Sequence, residues 1–144
     1  MYRNYKKIKF EIVTPERVVL KEDILQVTVP TKEGEITVLP KHMPLIASLT
    51  PGVIELKNTS EEIRIISVSG GFIEVLRNKI VILADTAERA EEIDIEKAKE
   101  ARKRAEESIK DLRHFDQKRF ANINALIAKE LARTKAVIRW KKIK

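Results

Sequence analysis

Hydrolysis by a serine nucleophile and a histidine base is the first chemistry that the residue types of this chain allow. Ser69 precedes Gly70 and Gly71, and His42 is one of only two histidines. The sequence around Ser69 lacks the Gly-x-Ser-x-Gly turn that exposes a catalytic serine. Its two glycines predict instead a turn with positive φ between two strands.

The sequence also lacks the residues that other catalytic chemistries require. The absence of cysteine excludes thiolate catalysis and cysteine zinc sites, and two histidines make an all-protein metal cage improbable. The acidic residues are scattered, and the sequence contains no Gly-rich phosphate loop ending in Lys-Ser or Lys-Thr. We therefore expect no catalytic residue, no metal site and no independent enzyme activity.

Anion binding is the chemistry that the C-terminal residues favour. Residues 129–144 hold seven basic side chains and a single acidic one, Glu130. Their partner should be acidic: the carboxylates of another protein, a phosphate-rich ligand, nucleic acid or anionic lipid. A nucleic-acid-binding module remains the alternative, although Trp140 is the only aromatic residue after Phe120. A membrane-surface helix anchored near Trp140 is a third interpretation.

The first part of the chain is predicted to be a β-domain. All four glycines and all five prolines lie within the first 71 residues, between short β-branched runs. These runs are 9–13, 18–20, 24–29, 36–39, 53–56, 63–68, 72–76 and 80–83. Their length and spacing predict an antiparallel β-sandwich or flattened barrel over residues 1–87.

The second part, residues 88–144, is predicted to be an antiparallel two-helix hairpin. Asp94 stands where a helix N-cap belongs, and a stripe of small residues follows at helical spacing: Ala98, Ala101, Ala105, Ser108 and Leu112. A second helical pattern follows the polar break at 113–116: Phe120, Ile123, Leu126, Ile127, Leu131, Val137 and Ile138. The narrow stripe suits close approach of another helix.

Charge and hydropathy support the same division. Residues 1–87 carry 12 basic and 11 acidic side chains, whereas residues 88–144 carry 17 and 11. No apolar run is long enough to span a membrane, and the N-terminus lacks the apolar core of a secretory signal. These features lead us to expect a cytoplasmic location.

Several motifs in order along the chain resemble a known family. They are Gly34-Glu35 through Val38-Leu39-Pro40, His42, Pro44-Leu45, Pro51-Gly52-Val53-Ile54, Ser69-Gly70-Gly71-Phe72-Ile73-Glu74-Val75 and Val81-Ile82-Leu83-Ala84-Asp85-Thr86-Ala87-Glu88. Together they strongly resemble the epsilon subunit of F-type ATP synthases, from about Phe10 to the end. Thr37, Lys41 and Met43 stand where that family usually has Gly, Gly and Ala. These departures should stiffen and enlarge the loop.

The resemblance implies a non-catalytic rotor subunit of the central stalk that couples proton flow to ATP synthesis. The sandwich is expected to attach to the gamma subunit, with Glu35 and His42 at the c-ring. The hairpin is expected to act as a movable brake on ATP hydrolysis by the alpha/beta hexamer. Its contacts with acidic beta-subunit carboxylates would be made by Lys129, Arg133, Lys135 and Arg139. The implied location is the cytoplasmic face of the bacterial plasma membrane, to which the complex holds the subunit peripherally.

Ile93-Asp94-Ile95-Glu96-Lys97-Ala98 resembles the nucleotide-binding motif of some bacterial epsilon subunits, with Lys97 in place of arginine. The resemblance implies ATP as a regulatory ligand, with no required cofactor. Its binding residues would be Glu88, Asp94, Lys97, Ala98 and Arg104. The alternative is that Asp94 only caps a helix and the basic residues form exchangeable surface pairs.

Overall fold

The computed structural model describes residues 7–111 and 116–144. The described chain forms nine strands, a short 3₁₀ helix at Ala90–Glu92 and two α-helices. The strands are β1 (Ile8–Val13), β2 (Val18–Thr31), β3 (Gly34–Val38), β4 (Leu45–Leu49), β5 (Gly52–Asn58), β6 (Ile63–Val68), β7 (Gly71–Val75), β8 (Lys79–Ala84) and β9 (Ala87–Arg89). The helices are α1 (Ile95–Lys110) and α2 (Gln117–Ile143).

The strands form one sheet that folds back on itself, in the order β1-β8-β7-β4-β2-β5-β6-β9. β1 also pairs with β2, and β3 pairs with β2 beside this path. The predicted sandwich or flattened barrel is therefore confirmed. One feature corrects the expectation of antiparallel pairing throughout, because β1 and β8 run parallel.

The core of the sandwich is built mainly from Ile, Val and Leu side chains, with Phe10 among them. Phe10 and Ile12 on β1 and Ile80 and Ile82 on β8 are at most 1% exposed. Their outward neighbours along each strand are partly or fully exposed. This period of two places one face of each strand in a continuous core, which is why the sandwich is a rigid body.

Helix α1 begins where the sequence predicts it. The Asp94 carboxylate accepts hydrogen bonds from the backbone N–H groups of Glu96 and Lys97, at 3.1 and 3.2 Å. Ala98 and Ala105 are buried, Ala101 is half-buried and Ser108 is exposed. The small-residue stripe therefore faces α2 over the N-terminal part of α1. Leu112 and most of the polar break, residues 113–115, lie outside the described residues.

Helix α2 lies between α1 and the outer surface of β5 and β6. The side chains that it buries are not those of its apolar pattern, of which only Val137 is buried. Small or polar residues occupy the contact instead: Glu130, Ala132, Thr134 and Ala136. Close approach of the backbone, rather than apolar bulk, determines which face of α2 docks.

The last strand crosses the predicted division between residues 87 and 88. β9 pairs with β6 through Ala87, Glu88 and Arg89. Arg89 also donates two hydrogen bonds to the Val19 carbonyl, at 2.8 and 3.1 Å. Glu88 is thus held by the sheet, with its side chain available to the hairpin.

Candidate functional site

The hairpin meets the sandwich through a small apolar cluster. Ala136 and Val137 of α2 are buried against Ile65 of β6 and against Ala90 and Ile93 of the connection. Val53, Ile63, Ile95 and Trp140 are partly buried against the same cluster, which is separate from the far larger sandwich core. The apolar part of the contact therefore contributes little compared with the core.

An ionic cluster lies beside this apolar contact. Arg133 of α2 donates from Nη2 to the Glu88 carboxylate at 3.2 Å and from Nη1 to the Glu130 carboxylate at 2.8 Å. Glu130 is 4% exposed, and no hydrogen-bond partner is described for Arg133 Nε, which is buried. Burial opposes the charge of Arg133, but the hydrogen bond to Glu130 and the charges of both carboxylates raise the pKa of its guanidinium. Arg133 thus ties a sandwich strand to the hairpin.

A second ion pair joins the far end of α2 to the sheet. Arg139 Nε donates to the Glu55 carboxylate on β5 at 2.7 Å, and this hydrogen bond raises the pKa of Arg139. Beside it lies a recess of about 460 Å³ that also receives Glu35, Lys135 and Lys142. The basic end of α2 is therefore laid along acidic side chains of the sandwich.

The four predicted beta-subunit contacts fall into two groups. Arg133 and Arg139 are engaged by carboxylates of the sandwich. Lys129 is half-buried and Lys135 exposed, and neither makes an ion pair within the residues that the structure describes. In this docked arrangement, two of the four cations that are predicted to contact a beta subunit are already paired with carboxylates of the same chain.

The predicted nucleotide residues do not converge on one cavity. Asp94 caps α1, Ala98 is fully buried against α2, and Glu88 pairs with Arg133. Lys97 and Arg104 are exposed on α1. In this arrangement two cations remain open to a phosphate, while the predicted acceptors for ribose or adenine are occupied.

The predicted c-ring residues lie at opposite ends of β3. Glu35 pairs in register with Pro30, next to the Thr31–Leu49 pairing, and lines the recess under α2. His42 follows the other end of β3, and its Nδ1 lies 2.7 Å from the carbonyl oxygen of Met43. Between them β3 has one unpaired edge, because its only strand partner in the described part of the chain is β2.

The residues considered for hydrolysis have structural roles. Ser69 Oγ accepts hydrogen bonds from the Thr86 backbone N–H and hydroxyl, at 3.0 and 2.7 Å. His42 lies beside Val75, at the opposite end of β7 from Ser69. Across residues 7–111 and 116–144, no group of three or more His, Cys, Asp or Glu side chains is placed to hold a metal. No helix in these ranges is long and apolar enough to cross a membrane.

An exposed apolar row crosses the outer surface of the other sheet layer. Phe72 on β7 and Leu83 on β8 are cross-strand partners, each 56% exposed. The row continues to Val13 on β1 and to Val18 on β2, which is 58% exposed. Adjacent exposed apolar side chains of this kind favour contact with another protein.

Sequence reasoning missed Glu55 and Glu130 as functional residues. Glu130 carried a signal, because it is the only acidic residue in a strongly basic segment and stands three positions before Arg133. No sequence signal identifies Glu55, because its partner Arg139 is 84 residues away. Only the docked fold shows that contact.

The fold and this interface define a class of protein in which a β-sandwich with its own core carries a helical hairpin through a separate apolar cluster and two ion pairs. Residues 7–90 match the family described as ATP synthase, Delta/Epsilon chain, beta-sandwich domain. The ATP synthase epsilon chain of Dehalococcoides mccartyi (strain CBDB1) is 50% identical over 105 residues, 73% of this chain and 74% of that protein. The epsilon chain of Pelotomaculum thermopropionicum is 48% identical over 101 residues, 70% and 75% of the two chains.

Two solved structures have the same fold at low identity. A chain in the cryo-EM structure of the Euglena gracilis mitochondrial ATP synthase, OSCP/F1/c-ring, gives a TM-score of 0.79 at 24% identity, over 92% of this chain and 82% of that one. A chain in the Tetrahymena thermophila mitochondrial ATP synthase central stalk/c-ring gives a TM-score of 0.58 at 18% identity, over 94% of this chain and 99% of that one. The family match and the relatives show that the chain belongs to the delta/epsilon chain family of ATP synthase, which confirms the resemblance.

Proposed function

We propose that the chain is a non-catalytic rotor subunit of the central stalk of an F-type ATP synthase. In this role it couples proton flow to ATP synthesis and restrains ATP hydrolysis. The observation that carries the proposal is the docking of a basic helix on sandwich carboxylates, through Arg133–Glu88 and Arg139–Glu55. A helix held in this way can exchange its intramolecular carboxylates for those of a partner.

Attachment to the rotor is assigned to the sandwich. The exposed row of Phe72, Leu83 and Val18 supplies an apolar surface for the gamma subunit. Glu35 and His42, at the two ends of edge strand β3, supply polar contacts to the c-ring. Because the sandwich has a continuous core, it can transmit torque without deforming. The complex then holds the subunit peripherally on the cytoplasmic face of a bacterial plasma membrane.

Inhibition is assigned to the hairpin after it leaves the sandwich. Undocking releases Arg133 and Arg139 from Glu88 and Glu55 and adds them to Lys129 and Lys135. The four cations then face acidic carboxylates of a beta subunit in the alpha/beta hexamer. Two states of this kind can exchange because the apolar contact that separates them is small.

Removal of the hairpin tests the brake. A chain that ends at Glu92 retains β9 and the Arg17–Glu92 ion pair but lacks both α-helices. In an assembled catalytic complex, this truncation should raise ATP hydrolysis several-fold relative to the full-length chain. Retention of the truncated sandwich by the gamma subunit serves as the control for rotor attachment. Equal hydrolysis rates with both chains would rule out inhibition by the hairpin.

ATP is proposed as the regulatory ligand that favours the docked hairpin. Lys97 and Arg104 are open to phosphates in the docked state, and binding to that state alone would increase its population. Titration of the full-length chain with ATP should show saturable binding, which Arg104→Ala weakens and Lys110→Ala leaves unchanged. No binding at millimolar ATP would confine the subunit to a mechanical role.

A further inference from the structure

The base of the helical hairpin is tied to the sandwich by Arg17, in the turn between β1 and β2. Arg17 Nη2 and Nη1 donate to the two oxygens of the Glu92 carboxylate, at 2.8 and 3.4 Å. Nη2 also donates to the Ala87 carbonyl oxygen on β9, at 3.5 Å. Glu92 ends the 3₁₀ helix, and Ala87 begins β9. One guanidinium therefore contacts both ends of the segment that leads into the hairpin.

The turn that carries Arg17 is closed by its own hydrogen bonds. The Thr14 hydroxyl accepts from the backbone N–H groups of Glu16 and Arg17, at 3.3 and 3.2 Å. The Thr14 N–H donates to the Arg17 carbonyl at 2.9 Å. A residue on such a fixed turn loses less conformational freedom on making a contact than a residue on an open loop. The backbone thus places Arg17 in advance for Glu92.

β9, which leads into the hairpin, is a short edge strand. It contains three residues, and its strand partner in the described part of the chain is β6. Short edge strands open at a lower free energy than the core strands of a sheet. Ala87 belongs to the sandwich core and is 6% exposed, so departure of β9 from the sheet would open that core. Arg17 holds β9 at its two ends against such opening.

Two residues separate Glu92 from the first residue of α1. Ile93 and Asp94 both have extended backbones, with φ and ψ of −87° and 129° and of −88° and 106°. After them, the Asp94 carboxylate caps α1, and α1 packs on α2. The segment before them is bound to the sandwich. The torsions of Ile93 and Asp94 are therefore the ones left free to turn the hairpin relative to the sandwich.

We propose that Arg17 is a positioning residue that fixes the hinge of the hairpin at Ile93 and Asp94. With its contacts in place, the hairpin leaves the sandwich while β9 stays paired with β6 and the core stays closed. Without them, β9 leaves with the hairpin, and the free connection grows from residues 93–94 to residues 88–94. The inference rests on the proposed movement of the hairpin and adds the residue that sets its pivot.

The length of the free connection matters because it sets the reach of the hairpin. At about 3.5 Å per extended residue, α1 would begin up to about 7 Å from its anchor with the short connection and up to about 25 Å with the long one. A longer flexible connection lowers the local concentration of the hairpin at a partner site on the same complex, here by about sixfold. Loss of Arg17 should therefore weaken inhibition without removing any cation of α2.

Hydrogen exchange of the full-length chain tests whether Arg17 holds this segment. Arg17→Gln should accelerate exchange of amides 87–93 by about 1.5- to 5-fold, the range for loss of a partly exposed ion pair. Amides of β7 and β8 should keep their protection. Arg77→Gln removes an exposed arginine in the turn between β7 and β8 and should leave amides 87–93 unchanged. If Arg17→Gln left them unchanged too, or accelerated every strand equally, the proposal would be wrong.

A disulfide between β9 and β6 tests where the hinge lies. Val68 and Ala87 are register partners, the chain has no cysteine, and the spacing of antiparallel partners suits a disulfide. In an assembled catalytic complex, Val68→Cys/Ala87→Cys should inhibit ATP hydrolysis equally in its oxidised and reduced forms, because β9 need not leave the sheet. Inhibition that is lost on oxidation and restored by reduction would place the hinge before Glu92 and overturn the proposal.

The same disulfide should rescue Arg17→Gln. In the reduced protein, Arg17→Gln added to Val68→Cys/Ala87→Cys should weaken inhibition by up to about sixfold, and oxidation should restore it. Equal impairment in both forms would show that Arg17 does not act by holding β9. Equal hydrolysis with the full-length chain and the chain truncated at Glu92 would refute the brake itself. The exchange of amides 87–93 would still decide, independently of the brake, whether Arg17 holds the base of the hairpin.

Discussion

Gly71 shows at the scale of one residue how the sandwich depends on a missing side chain. Its φ is +133°, and a Cβ at this position would lie 2.1 Å from the Leu83 carbonyl oxygen and 2.8 Å from the Ala84 Cα. Both obstacles are backbone atoms, so neither can move aside cheaply. We expect Gly71→Ala to lower the free energy of unfolding by about 2–4 kcal/mol, measured by denaturant titration.

Gly34 provides the matched control for this prediction. Its φ is +114°, but a Cβ there would meet nothing within 4 Å. Gly34→Ala therefore pays only the conformational cost, about 1–2 kcal/mol. Equal losses in the two variants would show that the contact with Leu83 does not limit the site.

The ion pair between Arg17 and Glu92 predicts a pH-dependent contribution to stability. The hydrogen bond from Arg17, at 2.8 Å, lowers the pKa of Glu92 below its ordinary value. A carboxyl group whose pKa is lower in the folded chain stabilises the fold above its unfolded pKa. This contribution is lost as the pH falls through the folded pKa.

Glu92→Gln should therefore lower stability at neutral pH and match the original chain in acid, below the pKa of Glu92. The difference at neutral pH should be about 0.2–1 kcal/mol, because both side chains are partly exposed. Denaturant titrations across the acid range measure it. Glu91→Gln, which removes a neighbouring exposed carboxylate outside any described ion pair, should leave the pH profile unchanged. A constant difference between Glu92→Gln and the original chain at all pH values would contradict the assignment.

Local residue roles could be predicted from the sequence, and distant pairings could not. The Asp94 cap and the Gly70–Gly71 turn depend on neighbours within a few positions, so spacing identifies them. The partner of Arg133 on the sandwich, Glu88, is 45 residues away, and no periodicity relates the two. The sequence predicted the positive charge of α2, while only the fold shows where that charge is held.

At the scale of elements, the strands missed by sequence patterning have physical explanations. Residues 18–20 and 24–29 were predicted as separate strands because charged residues lie between them. In the structure β2 continues through Lys21–Asp23 while it pairs with β1. Glu22 is the register partner of Phe10, and its carboxylate is paired with Asn58 and Arg64. β4 was not predicted, because alanine and serine interrupt its short apolar run.

Helix α2 is an example of what an apolar sequence pattern can predict and what it cannot. Its apolar periodicity predicted a helix, but most of the side chains in that pattern lie outside the docked face, since Leu126, Leu131 and Ile138 are each about 40% exposed. The docked face contains Ala132 and Ala136, which allow close approach to α1 and to the sheet. Patterns of large apolar residues identify a helix well and identify a contact between small residues poorly.

Ala136→Leu should loosen the hairpin without unfolding the sandwich. Ala136 is 0% exposed in the small cluster with Ile65 and Ala90, so three added carbon atoms would overpack it by about 1–3 kcal/mol. Hydrogen exchange of α2 amides should accelerate roughly 5- to 100-fold, while amides of β1 and β8 keep their protection.

Ala125→Leu, on an exposed position of the same helix, makes the same chemical change outside the docked face. It should leave exchange of α2 nearly unchanged, because leucine is almost as good a helix former as alanine. If Ala136→Leu accelerated exchange in the sandwich strands as strongly as in α2, the two parts would unfold as one cooperative unit. Independent movement of the hairpin would then be excluded.

At the scale of the whole molecule, the proposed brake is a competition between the sandwich and a beta subunit for the cations of α2. The sandwich is nearly neutral overall, yet it places Glu55 and Glu88 where α2 lies. The same cations that would hold a beta subunit are thereby held within the chain. In the proposed function the docked state competes with inhibition for Arg133 and Arg139, so variants of the sandwich carboxylates and of the helix cations should have opposite effects.

Glu55→Gln/Glu88→Gln should strengthen inhibition, whereas Arg133→Gln/Arg139→Gln should relieve it. The first variant removes the sandwich carboxylates and leaves every helix cation in place. It should raise the ratio of released to docked hairpin, since both sandwich carboxylates that pair with α2 are lost. The second variant also weakens docking, but it removes two cations that the proposal needs at the beta subunit. ATP hydrolysis by the assembled complex should therefore rise toward the rate measured with the chain truncated at Glu92. Glu16→Gln/Glu74→Gln, which makes the same charge change on exposed residues outside the strands and the 3₁₀ helix that contact α2, should leave hydrolysis unchanged. A change of hydrolysis in the same direction for both test variants would show that docking, rather than competition for these cations, governs the brake.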